Sequence, residues 1–423
     1  MKPGAGAGAG EGAAGPAAAR VLLLVPARTY RAADFLLAAA RRGLDLVIGS
    51  DGALPLGGRP VVHADAGNPH RSADRLVAAT GPVDAVVAAD TPMLVLAAAV
   101  AARIGLAHNP MEAVIAATDK AQQRRRWADA GLPQPGFQIV PATASADSVR
   151  EAAARVGFPC VVKAVSLSAS QGILRADDPA SAAAVAGRIR RVLATAGRPG
   201  NEPLLIEEYV PGWELSIDGL LDGGDLTVTA VFDKPGTPEG PTFEETVLIT
   251  PSRLPRRVVS AAVRTAERAA RALGLHYGPI HAELRIDGRR SQARPVMLEL
   301  AARSIGGLCS RTLRFPRGHS LEGLILANAL GQRLSPRRLP GTSGVLMLPI
   351  ERPGVLQAVH GRAEAAAVPG ITGLTITVPV GQPVHPLPEG DRYLGFVFAE
   401  GESYQQVEHA LGAARERLHV VIQ

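Results

Sequence analysis

The segment His281–Gly307, HAELRIDGRRSQARPVMLELAARSIGG, carries acids and an arginine at spacings that suit metal and phosphate chemistry. In HAELRID, His281, Glu283, Arg285 and Asp287 alternate with Ala282, Leu284 and Ile286. In VMLEL, Met297 and Glu299 alternate with Val296, Leu298 and Leu300. This period of two predicts two strands, each with one apolar face on a core. Glu283 and Glu299 then share the other face. Antiparallel pairing about Ser291 sets them opposite each other, with Cβ atoms roughly 5 Å apart. Carboxylates that close repel unless one takes up a proton or a cation lies between them. Magnesium takes one or two carboxylates together with substrate phosphates. Arg303 stands four residues after Glu299, and Ser304-Ile305-Gly306-Gly307 lets backbone approach a ligand. The same pattern also suits an exposed hairpin with ordinary surface acids, and the rest of the chain has to decide between the two.

Lysine usage points the same way. Of 45 basic residues only four are lysines: Lys2, Lys120, Lys163 and Lys234. Where a cation merely has to be positive, this chain uses arginine. A lysine that persists suits a task needing a compact, flexible ammonium, which the planar guanidinium does not supply. Lys2 lies in a low-complexity tail, which leaves Lys120, Lys163 and Lys234 as candidates; for Lys234, chance is the competing explanation.

These residues need elements to position them. Val21–Val25, Leu44–Ile48 and Val83–Ala88 read as strands, with helical patterns at 32–42, between the first two, and at 91–104, after the third. Strands alternating with helices imply a parallel sheet covered on both faces. The first turn, Pro26-Ala27-Arg28, is no dinucleotide-binding fingerprint. A helix opens at Thr118-Asp119-Lys120 with a side-chain cap, and another spans Ser148–Val156. Cys160-Val161-Val162-Lys163-Ala164 is an apolar strand ending in lysine. It is followed by Ser166-Leu167-Ser168-Ala169-Ser170-Gln171-Gly172, a small-residue loop able to cradle phosphate oxygens. Leu204–Glu208 is a strand entering Tyr209-Val210-Pro211-Gly212. In Trp213–Gly219, alternation puts Glu214, Ser216 and Asp218 on one face. A strand at 226–232 leads to Asp233-Lys234 and to Phe243-Glu244-Glu245-Thr246. Helices at 257–273 and 320–330 follow, and strands at 345–350, 373–379 and 394–399 with a helix at 403–418 make a small α+β cap.

Length and composition bound the rest. A chain of 423 residues suggests two to four domains. No apolar run reaches membrane-spanning length. The Gly/Ala/Pro-rich start lacks the pattern of a secretory signal and reads as a disordered tail over 1–19. Two distant cysteines, Cys160 and Cys309, fit a reduced, cytoplasmic setting and no metal-ligand spacing. The net charge of +6 is dispersed among acids, and aromatics make up only 4%. That argues against nucleic-acid binding, which wants a basic stripe with stacking rings. The run Arg124-Arg125-Arg126 reads as a solvated helix face.

Taken in order, these motifs resemble the ATP-grasp superfamily: Asp119-Lys120 at a helix start, Val161-Val162-Lys163, the Ser/Gly loop, Ile206-Glu207-Glu208-Tyr209-Val210 through Glu214, and Glu283 with Glu299-x-x-x-Arg303. The likeness covers 110–330. It implies a multidomain fold of α/β and α+β parts: an N-terminal parallel α/β domain over 20–110, an ATP-grasp domain over 111–335 with a lid at about 133–205, and a C-terminal α+β cap over 341–423. By this resemblance Lys120 and Lys163 hold the α- and β-phosphates of ATP. The loop containing Ser168, Ser170, Gln171 and Gly172 closes over the triphosphate. The backbone of Glu207, Glu208, Tyr209 and Val210 reads adenine, and Glu214 accepts the ribose hydroxyls. Glu283 and Glu299 ligate Mg2+ or Mn2+, and Arg303 meets the transferred phosphoryl group. Many members carry Asn where this chain has Ala301, so the second metal would lean on Glu299 and phosphate oxygens or bind more weakly.

The Glu-x-Ala-Ala-Arg form, with His281-Ala282-Glu283, Asp233-Lys234 and 243–246, is similar to the L-amino-acid ligases, a dipeptide-forming branch. That implies an ATP-dependent carboxylate–amine ligase working through an acyl-phosphate, with amino acids as carboxylate and amine substrates. Lys234, Glu245, His281, Gly306 and Gly307 would lie about those substrates, and Glu245, or else Glu244, could bind an ammonium group. Other ATP-grasp chemistry, of the biotin-carboxylase or purine-pathway kind, is the alternative, as is a non-catalytic ATP-binding protein. No biotin or bicarbonate site is readable. A dead scaffold predicts loss of Glu283, Glu299 or Arg303, and all three are present. A homodimer is compatible with this reading, and no nucleic-acid or membrane partner is expected.

Overall fold

The computed structural model describes residues 18–54, 60–198, 200–236, 239–288 and 294–423. Most of the tail expected to be disordered, and Ser291 at the expected pivot of the hairpin, fall outside the described residues.

The strand Arg20–Val25 lies between Asp45–Ser50 and Ala85–Ala88, with Val61–His63 at the edge, all parallel. Val21, Leu23 and Val25 pack toward Phe35 of the helix Ala32–Arg41. Leu22 and Leu24 pack toward Leu76 of Pro69–Thr80 and Leu96 of Leu94–Arg103. A strand buried on both faces has no need of polar alternation, hence the unbroken VLLLV.

Phe137–Val140, Leu204–Glu208, Cys160–Ala164 and Ile173–Ala176 form a second, antiparallel sheet in that order. The helices Ala146–Val156 and Pro179–Thr195 cover it through Val149, Ala186 and Ile189, set against Val162, Leu204 and Ile206. The helix Pro179–Thr195 has no counterpart in the sequence reading. Its start is well marked, by Asp178 and Ser181 in a reciprocal cap and by a proline in the first turn. Its interior is mostly alanine and arginine, so its apolar stripe is thin.

The largest sheet has eight strands, in the order Arg294–Ala301, Gly278–Asp287, Trp213–Asp222, Asp225–Asp233, Val247–Thr250, Thr342–Leu348, Gly395–Gly401 and Ile371–Ile376. Neighbours pair antiparallel throughout. The helix Arg256–Leu273 lays Ala262, Ala266, Ala269 and Leu273 on Leu215, Ile217, Ala282 and Leu284. Further along, Val407, Leu411 and Ala414 of Tyr404–Arg417 cover Leu346, Val397 and Ala399. The opposite face carries Leu220, Phe232, Leu248, Met347 and Phe396, which share one core with Phe35 and with Leu324 of Leu321–Ala329. The N-terminal sheet and the large sheet are thus held in fixed relation by a common apolar contact. Among the described residues no helix is long and apolar enough to cross a membrane, and Cys160 and Cys309 are both buried and unpaired.

Candidate active site

Glu283 and Glu299 face each other across the hairpin, as the alternation predicts. One step on, the register slips, because Leu284 pairs with Met297. The extra residue is a β-bulge at Leu298, and it corrects the expected pattern. Met297 joins Leu300 in the core, while Leu298 shares a pocket wall with Glu299. Strict alternation through Val296, Leu298 and Leu300 therefore fails: one unpaired residue reverses which side chains face the core.

Lys234 gathers the acids beside this hairpin. Its Nζ lies 2.9 Å from Glu214 Oε1 and 3.3 Å from Glu283 Oε1, and it also donates to Glu245. Ligand oxygens of the three carboxylates fall within 4.8 Å of one another. Burial favours the neutral form of each acid. Burial is the largest influence at Glu214 and Glu283, but Lys234 with Arg285 at the first, and Lys234 with His281 at the second, together overcome it and hold each carboxyl below its usual range. At Glu245 burial wins, and the carboxyl rises to about 7. Lys234, for which chance was the competing explanation, is thus the centre of a buried charge cluster. His281 stands between Asp218 Oδ2 and Glu283 Oε1, each 3.2 Å from a ring nitrogen. Burial alone would lower its pKa, but these two acids, Asp218 chiefly, raise it to about 9 and favour the imidazolium. Asp218 Oδ1 also accepts from Ile305 N at 2.8 Å, tying this strand to the loop after Arg303.

Lys120 and Lys163 arrive from two directions. Lys120 opens the helix Lys120–Asp129, whose N-cap is Asp119, and its backbone N–H donates to Val165 O at 3.0 Å. Its ammonium donates to Leu167 O at 2.6 Å and pairs with Glu299 Oε1 at 3.1 Å. Lys163 pairs with Glu207 Oε2 at 2.6 Å, and Arg124 Nε donates to Glu207 Oε1 at 2.6 Å. Arg124 is only 1% exposed and also donates to Leu298 O, while Arg126 donates to Leu273 O and Glu112 O. Only Arg125 of that run is exposed. The run is therefore no solvated face; helical phase turns Arg124 inward onto a carboxylate. At Glu207 burial pushes the pKa up, but Arg124 and Lys163 overcome it and hold it at about 2.

A pocket of about 70 Å³ lies among these groups, lined in part by Lys163, Ser170, Tyr209, Glu214, Arg285 and Glu299. In the segment at its edge, Glu208 N donates to Gly136 O, Tyr209 N to Pro159 O, and Val210 O accepts from Arg285 Nη1 at 2.8 Å. The loop above it holds two non-glycine residues in left-handed backbone, Ala169 (φ 55°) and Ser170 (φ 57°). Such conformations cluster where a loop is shaped for a ligand.

The pocket opens onto a cleft of about 660 Å³, to which Glu283, Glu299, Ser168, His281, Glu245 and Arg303 also contribute. Arg303 is oriented by Thr91 Oγ1 at 3.0 Å and Ser304 O at 2.8 Å, with Asp90 Oδ1 3.7 Å away. Gly306 and Gly307 line the cleft too, but a Cβ at Gly307 would sit 2.5 Å from the Phe396 ring, so tight packing alone demands glycine there. A hollow of about 800 Å³ around Arg311 and Arg317 lies elsewhere and contains none of these lysines or glutamates.

The sequence reading missed the cleft residues Tyr30, Asp90 and Tyr393, the buried Arg31 that donates to Ser304 and Ala89 O, and Asp218, Arg285 and Arg124 as partners of site residues. A signal existed for two of them. Tyr30 and Asp90 sit in loops just after Arg20–Val25 and Ala85–Ala88, adjacent parallel strands, and ligand crevices form outside the carboxyl ends of such strands.

Comparison with known proteins adds family to this geometry. Residues 156–312 match the ATP-grasp domain, and 346–423 match the L-amino acid ligase C-terminal domain 2. Carnosine synthase 1 of Gallus gallus is 33% identical over half of this chain and 24% of its own length. Alanine–anticapsin ligase of Bacillus subtilis is 28% identical over 48% of this chain and 45% of that protein. The chain spans 24% to 63% of the length of the first curated relatives it matches. Among solved structures, the L-amino acid ligase of Bacillus licheniformis superposes with a TM-score of 0.76 over 95% of this chain and 98% of that one, at 24% identity, a likeness of fold. The chain has the ATP-grasp fold, with an N-terminal parallel α/β sheet and a C-terminal α+β cap, and its residues 156–312 form an ATP-grasp domain.

Proposed function

We propose that this chain is an ATP-dependent carboxylate–amine ligase, joining two small molecules of which at least one is an amino acid, through an acyl-phosphate and with release of ADP and phosphate. The observation that carries this reading is a pair of adjoining hollows, one lined by Lys163 and the other by Arg303, that share Glu283 and Glu299 as a common wall. The lining of the inner pocket suits a nucleotide entering from the cleft, with its edge at Glu207–Val210 for adenine, Glu214 on the ribose side, Lys163 and the 168–172 loop about the phosphates, and Lys120 behind Glu299. Each ammonium has three donors, so its present carboxylate or carbonyl partner leaves capacity for phosphate oxygens.

The residues fit a hard divalent cation. Glu283 and Glu299 are paired oxygen donors, part-exposed toward the cleft, and Mg2+ or Mn2+ held there would neutralise phosphate charge. In the first step a substrate carboxylate oxygen bonds to the γ-phosphorus and ADP leaves. Arg303, held by Thr91 and Ser304, presents a preorganised cation to the transferred group. In the second step the amine nitrogen bonds to the acyl carbon, the bond to phosphate breaks, and the nitrogen loses its proton. Glu245, in the cleft beside Lys234, offers a carboxylate for an ammonium group. No side-chain nucleophile enters this route, and the loop keeps water from the activated acyl group.

Matches to both an ATP-grasp domain and an L-amino acid ligase C-terminal domain support this chemistry over carboxylation. A screen of amino-acid pairs for ADP release, with mass spectrometry of products, tests it. Without an amine, hydroxylamine should trap the acyl group as a hydroxamate, dependent on ATP and on Arg303. ADP release that requires bicarbonate instead, or no phosphate release with any pair, overturns it.

A further inference from the structure

The loop over the inner pocket is fastened from outside its own sheet. Gly172 N donates to Pro388 O at 3.1 Å, and Gln171 Nε2 donates to Glu389 O at 2.9 Å. The Glu389 carboxylate takes a bidentate pair from Arg188, at 2.7 and 2.9 Å, on the helix Pro179–Thr195 that backs the same sheet. One residue of the C-terminal part thus holds both the loop, through its carbonyl, and the helix behind it, through its side chain. Arg188 and Glu389 are 46% and 41% exposed, so the pair is of the weak, releasable kind despite its fork geometry. The segment carrying Glu389 is itself tightly turned. Gly390 N donates to Pro386 O at 2.8 Å, and a Cβ at Gly390 would sit 2.2 Å from His385 O. The next three residues, Asp391, Arg392 and Tyr393, line the cleft. A single short turn therefore touches the loop on one side and the substrate cleft on the other.

We propose that Glu389 is a positioning residue that couples closure of the 168–172 loop to occupancy of the cleft. This rests on the ligase reading. A ligand pressing on 391–393 steadies the turn, and the turn holds Gln171, Gly172 and Arg188 in the closed arrangement. The function served is protection of the acyl-phosphate. If water reaches it, the water oxygen bonds to the acyl carbon, the carbon–oxygen bond to phosphate breaks, and carboxylate, phosphate and a proton are released. ATP is then spent without an amide.

The test uses the full chain with Glu389→Ala, Arg188→Ala and the charge swap Arg188→Glu with Glu389→Arg. Amide hydrogen exchange over 166–175 without nucleotide reads the clasp independently of ligation, and the ratio of ADP released to amide formed reads the coupling. Both single variants should raise exchange and the ADP-to-amide ratio by about two- to fivefold, the range an exposed ion pair supports, and the swap should bring both back toward wild type. Unchanged exchange and ratio in the single variants overturn the proposal. So does a swap that keeps the wild-type unfolding temperature yet recovers neither readout. If exchange responds as expected but the wild-type chain makes no amide from any pair, the ligase reading fails while the clasp stands. If the wild type ligates and the variants match it in both readouts, the clasp fails while the ligase reading stands.

Discussion

The inner pocket and the outer cleft are built on different principles. The pocket is bounded by buried, paired charges: Glu207 with Lys163 and Arg124, and Lys234 with Glu214, Glu245 and Glu283. Its groups sit in sheet strands, a helix start and the short turns after them, and each charge is fixed by another. The cleft is nearly ten times as large. It is assembled from ends of the chain that meet only in the fold: Tyr30 and Asp90 from N-terminal loops, Arg303 from the centre, and Tyr393 from the C-terminal part. A site whose charges neutralise one another is tied to stability, since removing one partner from a buried pair costs about 3–5 kcal/mol. Loop residues facing an open cleft are free of that link and can vary with the ligand. The charges that bound the pocket are thus also part of the fold's core, whereas Tyr30, Asp90 and Arg303 reach the cleft from loops.

The largest effect should come from the paired acids. Glu283→Gln and Glu299→Gln should each lower turnover on the order of a thousandfold, because an amide is a poor ligand for a hard cation worth several kcal/mol to the reaction. Steady-state rates at saturating magnesium, with circular dichroism to verify folding, check this; a near-wild-type rate in either variant refutes the metal assignment.

Next comes Glu207, where the contrast with the cleft is sharpest. Glu207→Gln leaves Arg124 and Lys163 without their buried counter-charge and should cost about 3 kcal/mol in urea unfolding. The wild-type acid limb carries the same signature. The Glu207 carboxyl falls from its ordinary 4.5 to about 2 on folding. The stability it contributes is therefore full above pH 4.5 and drains away as pH falls from 4.5 toward 2. Wild-type stability should fall more steeply across that window than that of Glu207→Gln. Parallel curves would mean that the pair is not what anchors the pocket.

Smaller still are the lysine replacements. Lys120→Arg and Lys163→Arg keep the charge but not the compact ammonium, and each should cost about ten- to a hundredfold in ATP-dependent turnover. Unchanged kinetics would mean that the scarcity of lysine carries no functional information. Asp90→Asn closes the series from the cleft side. It should leave unfolding free energy within about 0.5 kcal/mol of wild type and raise KM for one substrate without changing KM for ATP. A stability loss comparable to that of Glu207→Gln would erase the distinction between the two regions.

The same division explains what was legible in the sequence. Glu283 opposite Glu299 followed from period two, because each strand's alternation is local. The bulge at Leu298 did not, because it is a matter of cross-strand register and lies only one residue from the predicted pair. Lys234 stood out by rarity, yet its three carboxylates come from three strands or loops that only the sheet brings together. Arg124 looked like surface because three adjacent arginines occupy three directions around a helix, and which one points inward is set by Glu207, 83 residues away. The eight-stranded sheet was seen only in pieces, since its C-terminal strands join it through Thr342–Leu348, which pairs with Val247–Thr250 across nearly a hundred residues of chain. Tyr30, Asp90 and Tyr393 carry no motif of their own, and their contribution is positional.

The acyl-phosphate route is tested most directly by placing oxygen-18 in the substrate carboxylate and following the label through one turnover with ATP and an amine. The predicted result is one labelled oxygen in inorganic phosphate, with ADP as the nucleotide product. Label in AMP, with pyrophosphate released, would contradict it and mark the reaction as adenylation.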